Sequence, residues 1–224
     1  LLVVPARALL RLLPGADDVK KRTLSVAPGD RVDVGRLVGA LVAEGYSRAD
    51  LVTECGDLAV RGGLVDVFPP NLAEPVRIEL GFEAVESVRT FDPDTQRSTG
   101  TLERVLLPPM AATPDTPRSR ALSLEVLAAC RTEDDEPPVP RDPDAPRKHD
   151  GLEELLPLLA GSVNVLAHAK SFVLAVDDPD SVSEELARAA DVLRLDYEKA
   201  RKAGRVVPDP IRLAGDPVIL EAEV

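Results

Sequence analysis

The chain has 224 residues, of which 44% are hydrophobic and 29% are charged, as in globular proteins with one large domain or two small ones. Its net charge of −12 disfavours a broad phosphate-binding surface, and the absence of Trp together with 3% aromatic residues disfavours base-stacking platforms. Apolar runs are all shorter than the roughly 18 residues of a membrane span, so we expect no membrane partner and a cytoplasmic location.

Residues 1–22 predict a strand followed by a helix. Leu1–Val4 is apolar throughout, and a proline begins the helical segment Ala6–Leu13. A second helix is predicted from Val34, because apolar residues recur there at i, i+3, i+4, i+7 and i+8. Asp33 is the expected N-cap of this helix, and Gly45 is its expected end.

Short strands with turn-forming residues between most of them follow the second helix. They are Leu51–Cys55, Asp57–Arg61, Leu64–Phe68, Val76–Leu80, Val85–Phe91 and Leu102–Leu106. Their close spacing along the chain implies antiparallel pairing. Arg77 and Glu79 alternate with apolar residues, which predicts an ordinary solvent-exposed face. Asp66 is expected to pair with a nearby arginine.

The second half of the chain changes character twice. Residues 108–150 are rich in proline and charge and predict a linker with one possible helix, Arg118–Arg131. Residues 151–224 predict an α/β lobe, because helices and strands alternate there. The predicted elements are a helix at Leu152–Leu159, strands at Val163–Ala167 and Phe172–Val176, and a helix from about Ser181. Since the first strand of the chain can join this lobe, we expect residues 23–107 to be an insertion.

Two segments in the middle of the chain carry the most specific pattern. They are GYSRADLVTECGDLAVRGGLVDVFPP at Gly45–Pro70 and PVRIELGFEAVESVRTFDPDTQRS at Pro75–Ser98. A VRGG step, a DVFPP exit and an FDPDTQR turn occur in fixed order within them. This pattern resembles the UvrA-binding domain shared by bacterial transcription-repair coupling factors (Mfd) and the excinuclease subunit UvrB. The FDPDTQRS turn is more similar to the coupling factors, and a UvrB fragment is the alternative.

The resemblance implies a fold, a function and partners. The implied fold class is α/β and α+β: a degenerate helicase-like α/β lobe, residues 1–22 and 151–224, with an inserted UvrA-interaction α+β domain, residues 23–107, followed by the linker at 108–150. The implied function is a protein-interaction module that recruits UvrA to lesions with stalled RNA polymerase. Full-length relatives also carry a domain that binds RNA polymerase and an ATP-driven motor that translocates on DNA. Because the chain begins with Leu, we expect it to be a fragment.

The resemblance also implies which residues contact UvrA. Arg48 in GYSR and Arg61 in VRGG fall where the family places its contacting arginines, and Phe68 is a further candidate. UvrB has another arginine at the position of Ala59, so that contact has no counterpart in this chain. Taken from the sequence alone, the two arginines also fit solvated strand ends. A phenylalanine before Pro-Pro also fits a core position.

Catalytic motifs give weaker signals. Val173–Asp178 looks like a Walker B strand, but no G-x-x-x-x-G-K-[ST] loop occurs, so we predict a plain strand-to-turn segment and no enzymatic activity. A metal-dependent enzyme built on acids such as Asp66, Glu79 and Glu83 is the alternative of a different class. Two cysteines and two histidines fit neither a disulfide framework nor a usual zinc site, so we expect no metal or cofactor.

Overall fold

The computed structural model describes residues 3–82, 84–130, 162–168, 173, 175–203 and 207–210. The chain divides into two compact units: the sheet unit, Asp17–Thr116, and the terminal unit, Leu1–Ala16 with Pro117–Val224. The strands are β1 (Leu13–Pro14), β2 (Leu24–Val26), β3 (Ser47–Arg48), β4 (Asp57–Arg61), β5 (Leu64–Val67), β6 (Val76–Leu80), β7 (Val85–Phe91), β8 (Ser98–Thr101), β9 (Val105–Leu107) and β10 (Ser162–Val163). The helices are α1 (Ala16–Arg22), α2 (Val34–Ala43), α3 (Pro117–Ala129) and α4 (Pro179–Lys202), with 3₁₀ helices at Ala6–Leu10 and Val165–His168.

The sheet unit is built on six strands in the order β3-β4-β5-β6-β7-β8. The predicted antiparallel pairing is confirmed from β4 to β7, where each strand runs against the next. The edge strand β3 is the exception, since it pairs parallel to β4. Strands β2 and β9 form a separate antiparallel pair. The polar, fully exposed strand β8 was not predicted, because its sequence STGT has no apolar alternation.

Helix α2 follows the predicted pattern. The Asp33 side chain caps it by accepting a hydrogen bond of 2.8 Å from the backbone N–H of Arg36. Gly45 follows the helix with φ +97°, a left-handed conformation that glycine adopts at low cost. A Cβ at this position would lie 2.8 Å from the backbone and side chain of Ala111, so the close approach also requires glycine. The apolar face of α2, including the fully buried Leu41, packs against the inner residues of β4 to β7. We call this cluster, which includes Leu58, Val65, Ile78 and Val88, the main core.

The segment after β9 remains attached to the end of α2. The N–H groups of Met110 and Ala111 donate to the Glu44 carbonyl at 2.8 and 2.9 Å, and Asp115 N–H donates to the Ala43 carbonyl at 2.7 Å. These bonds occupy carbonyls that have no partner inside the helix. The start of the region predicted as a linker is therefore held against the sheet unit by backbone hydrogen bonds.

Two predicted strands of the sheet unit differ from the structure. Leu51–Cys55 is a loop, because the N–H groups of Thr53 and Glu54 donate to the Asp57 carboxylate at 3.0 and 2.8 Å instead of to a neighbouring strand. The strand predicted at Leu102–Leu106 lies at Val105–Leu107. There it pairs with β2, a partner more than seventy residues earlier in the chain.

The terminal unit contains a small core in which Leu9 and Leu10 pack against Leu186 of α4. The prediction of a helix at Ala6–Leu13 is wrong. A 3₁₀ helix ends at Leu10, and β1 then pairs antiparallel with β10. Proline at position 14 cannot continue a helix by hydrogen bonding, which favours that ending.

Other predictions for the terminal unit have mixed outcomes. The helix expected at Arg118–Arg131 is present as α3, and the helix expected from Ser181 is present as α4. Most of the predicted strand Val163–Ala167 is a 3₁₀ helix. The helix at Leu152–Leu159 lies outside the described residues, and so does part of the strands at Leu1–Val4 and Phe172–Val176. The described residues of those two segments are not in strands.

The fold is therefore mixed α/β with a multi-stranded sheet. The helicase-like lobe and the domain boundaries stay predictions. Among the described residues, no helix combines the length and the apolar character that crossing a membrane requires.

Candidate functional site

One edge of the six-stranded sheet carries both arginines that the sequence singles out. Arg48 lies on the two-residue edge strand β3, in register with Leu58 of β4, and Arg61 is the last residue of β4. Both arginine side chains are exposed. Since side chains alternate along a strand and Leu58 points into the main core, Arg61 points toward the opposite face. The arginines therefore flank one edge of the sheet and project to different faces of it.

A single loop, residues 49–56, connects β3 to β4 and thus lies between the two arginines in the chain. The Arg61 guanidinium donates a hydrogen bond of 2.9 Å to the Asp50 carbonyl, close to the start of this loop. Ala49 N–H donates to the Leu58 carbonyl at 2.9 Å, and the Asp57 carboxylate accepts from two N–H groups at the far end. The loop is thus held at both ends and in its first half by hydrogen bonds.

The same edge exposes apolar side chains that the sequence did not single out. Leu51 is 38% exposed and Val60 is 39% exposed. We call Arg48, Asp50, Leu51, Val60 and Arg61 together the arginine edge. Val60 was missed because alternation assigns it to the core face. Val60 is exposed because the neighbouring strand β3 ends after two residues and leaves the end of β4 uncovered, which alternation within β4 cannot indicate.

Phe68 is not one of these exposed residues. It is half-buried and packs on a cluster formed by Val52, Ala59 and Phe91, on the face of the sheet opposite the main core. Ala59 is 3% exposed, so a packed methyl group fills the position where the resemblance to UvrB implies an arginine. The packing favours a core role for Phe68, and its role as a partner contact stays a prediction.

A buried ion pair lies beside this cluster. Asp66 is 2% exposed, and its carboxylate accepts from Arg77 Nε and Nη2, both at 2.7 Å. The guanidinium also stacks over the Phe91 ring, 4.6 Å from its centroid. The hydrogen bond to Asp66 raises the pKa of Arg77 against the opposing effect of burial, so the guanidinium keeps its charge.

The predicted partner of Asp66 is therefore confirmed, and the predicted solvent-exposed position of Arg77 is wrong. The two residues lie directly opposite each other on β5 and β6, where cross-strand neighbours meet. Glu79 is half-exposed, as expected for a solvent-facing side chain, and accepts a hydrogen bond of 2.8 Å from the Ser87 hydroxyl.

The acids proposed for a metal site have other partners. Both carboxylate oxygens of Asp66 bind Arg77, Glu79 lies 3.4 Å from Arg89, and Glu83 lies outside the described residues. Within the part of the chain that the structure describes, no three His, Cys, Asp or Glu side chains are grouped to hold a metal ion.

The acidic end of the Walker B-like segment is a helix cap. Asp178 precedes α4, and its carboxylate accepts from the Ser181 hydroxyl at 2.7 Å and from the Ser181 N–H at 3.3 Å. These hydrogen bonds lower the pKa of Asp178, the side-chain bond contributing most. The carboxylate is therefore used to begin a helix.

Comparison with known proteins finds similarity over the part of the chain that carries the arginine edge. Residues 24–112 match the model of the UvrB interaction domain. The chain is 34% identical over 127 residues, 57% of its length, to the transcription-repair-coupling factor of Bacillus subtilis (strain 168). It is 35% identical over 105 residues, 47% of its length, to the protein of the same name from Staphylococcus aureus (strain MRSA252). The matched segments cover 11% and 9% of these relatives, so the similarity extends over about a tenth of each.

Proposed function

We propose that this chain, whose residues 24–112 match the model of the UvrB interaction domain, is the module through which a transcription-coupled DNA repair factor recruits UvrA to lesions with stalled RNA polymerase. The observation that carries the proposal is the arginine edge, which lies inside the matched domain. It combines two exposed arginines with two exposed apolar side chains around one hydrogen-bonded loop. Arginine and exposed apolar groups together are typical of protein-binding surfaces.

The chemistry of the edge indicates what the partner must supply. A guanidinium group pairs best with carboxylates, through two parallel hydrogen bonds. Leu51 and Val60 gain free energy when a partner removes them from water. We therefore expect UvrA to present acidic side chains around a small apolar patch. Because the arginines project to different faces, the partner surface has to reach around the end of β4.

Titration calorimetry with UvrA tests the proposal directly. Replacing Arg48 or Arg61 with Ala should each weaken binding by about 2–5 kcal/mol, since truncation leaves a desolvated partner charge unpaired. Binding should also weaken as salt is raised. Arg36→Ala is the matched control, because Arg36 is an exposed arginine on α2 rather than on the sheet edge.

Arg77 is unsuitable as that control, because its removal would leave the Asp66 carboxylate buried without its partner. Circular dichroism should show each variant folded. Equal affinity of the parent, Arg48→Ala and Arg61→Ala chains for UvrA would contradict the assignment of this edge. UvrB should compete with this chain for UvrA, since both would use the same type of domain.

We propose the wider arrangement on the same family basis. The sheet unit would be inserted in a helicase-like lobe, and the full-length protein would also bind RNA polymerase and DNA in the cytoplasm, with no catalytic activity in this chain itself. Limited proteolysis tests the insertion. Proline and charge between Glu133 and Lys148 predict the first cleavage there, and early cleavage within β4 to β6 would contradict the domain boundaries.

A further inference from the structure

One turn residue bonds to both the buried ion pair and the loop of the arginine edge. Gln96 has φ 60°, a left-handed conformation that is uncommon for a residue other than glycine. Its side-chain Nε2 donates to the Pro93 carbonyl at 2.7 Å and to the Val52 carbonyl at 3.3 Å. Its own carbonyl accepts from Arg77 Nη1 at 3.3 Å. Gln96 therefore joins three separate parts of the sheet unit.

The Val52 contact leads to the arginine edge. Val52 is fully buried in the middle of the loop 49–56, and the loop carbonyl that binds Arg61 belongs to Asp50, two residues earlier. The far side of the same loop is fixed by Asp57 through the N–H groups of Thr53 and Glu54. Gln96 thus supplies a side-chain hydrogen bond at the centre of the loop, between the bonds made by Arg61 and Asp57.

We propose that Gln96 is a positioning residue for the arginine edge: it holds the loop 49–56 against the sheet so that the Asp50 carbonyl can orient Arg61. The inference rests on the proposed function as far as it concerns UvrA. Its structural part, the positioning of the loop, does not depend on any partner. Arg77 supports Gln96 from the other side, since the ion pair fixes the guanidinium that binds the Gln96 carbonyl.

The turn that carries Gln96 is also closed by hydrogen bonds that do not involve the Gln96 side chain. The Asp92 carboxylate accepts from Thr95 N–H at 2.7 Å and from its hydroxyl at 2.9 Å. Backbone bonds from Gln96 N–H to the Asp92 carbonyl and from Asp92 N–H to the Arg97 carbonyl close it at 2.8 and 3.0 Å. Because glycine adopts φ near 60° freely, Gln96→Gly keeps the turn and removes only the side chain.

Hydrogen exchange on the full 224-residue chain tests the positioning. In Gln96→Gly the amides of Thr53 and Glu54 should exchange about 5-fold faster or more, while those of β6 keep the parent rate. Asp94→Asn is the control, because Asp94 is exposed in the same turn. Unchanged exchange at the two loop amides would overturn the proposal.

A double-mutant cycle with UvrA tests the route through Arg61. Gln96→Gly should raise the Kd for UvrA about 3-fold to 10-fold in the parent and by no further factor in the Arg61→Ala chain. No change in the parent, or an equal change in both backgrounds, would overturn a role through Arg61. If the parent does not bind UvrA at all, the proposed function fails, and the exchange rates still decide whether Gln96 positions the loop.

Discussion

The two faces of the six-stranded sheet are buried by different means. On one face, α2 covers a continuous apolar core that contains fully buried side chains such as Leu41, Ile78 and Val88. On the other face, a loop and a turn cover a small cluster around Phe91, together with the ion pair Asp66–Arg77. A helix can fill one face with hydrocarbon. On the opposite face, the loop and the turn leave the Arg77 side chain 21% exposed.

The difference determines what each face depends on. Apolar burial is non-directional and responds gradually to lost volume. The ion pair depends on fixed geometry. The Asp66 side chain is only 3% exposed, and Arg77 is the only cation among its described contacts, so Asp66 relies on Arg77 to balance its charge. The Arg77 side chain itself is 21% exposed. We therefore expect the apolar face to tolerate small changes and the polar face to fail when one partner is lost.

The largest effect is expected for Arg77→Ala. Removing the guanidinium leaves the Asp66 carboxylate buried without a partner, which should lower the free energy of unfolding by about 3–5 kcal/mol. Urea denaturation followed by circular dichroism measures this change. The double variant Asp66→Ala, Arg77→Ala should recover part of the loss, because it removes the unpaired charge as well.

This account would be contradicted if the losses were additive, that is, if the double variant were less stable than Arg77→Ala by as much as Asp66→Ala alone destabilises the parent. In that case the pair would contribute through packing against Phe91 rather than through charge. The polar face would then differ from the apolar face only in degree.

A somewhat smaller and graded effect is expected at Ile78, the next residue on β6, which points to the other face. Ile78→Ala should cost roughly 2–5 kcal/mol and Ile78→Val roughly 0.5–1.5 kcal/mol, because each removes hydrocarbon from a closed core. The same denaturation measurement applies. Truncating Ile78 leaves no buried charge without a partner. A second truncation, of a neighbour such as Val88, should therefore add to the loss of stability instead of relieving it. Rescue by that second truncation would contradict the distinction between the faces.

The contrast also explains how far the sequence could be interpreted. Strands β4 to β7 and helix α2 follow from local periodicity and caps, so their prediction needed no distant information. Alternation assigned Arg77 to the face opposite Ile78, but it could not indicate that this face is covered. The cover comes from the loop 49–56 and from Gln96, residues distant in sequence.

The candidate site shows the same limit. The VRGG and GYSR motifs identified Arg48 and Arg61, whose exposure fits a contact role. The exposure of Leu51 and Val60 could not be predicted, because it depends on where β3 ends and on a loop that is held by side chains such as Asp57. Local patterns predict elements, and the loops between them decide which side chains reach the surface.

The smallest effect is expected at a polar contact of the apolar face, the Tyr46 hydroxyl. Tyr46 belongs to the main core, and its hydroxyl donates to the Pro108 carbonyl at 2.8 Å. Tyr46→Phe keeps the ring and removes one hydrogen bond, so it should cost only about 0.5–1.5 kcal/mol at neutral pH. A loss comparable to that of Arg77→Ala would contradict the view that this face depends little on directional bonds.

The pH dependence of the same variant sharpens the comparison. Burial raises the pKa of Tyr46 above its ordinary value, and the nearby Cys55 and Glu44 add to the shift. A group whose pKa is raised in the folded state contributes stability that is present below its unfolded pKa of about 10 and is lost as the pH rises above it. The parent should therefore lose stability in urea titrations above about pH 10. Tyr46→Phe should lose less over that range, since the phenylalanine ring has no proton to release. Parallel curves for the two chains would show that Tyr46 ionisation does not limit the stability of the apolar face.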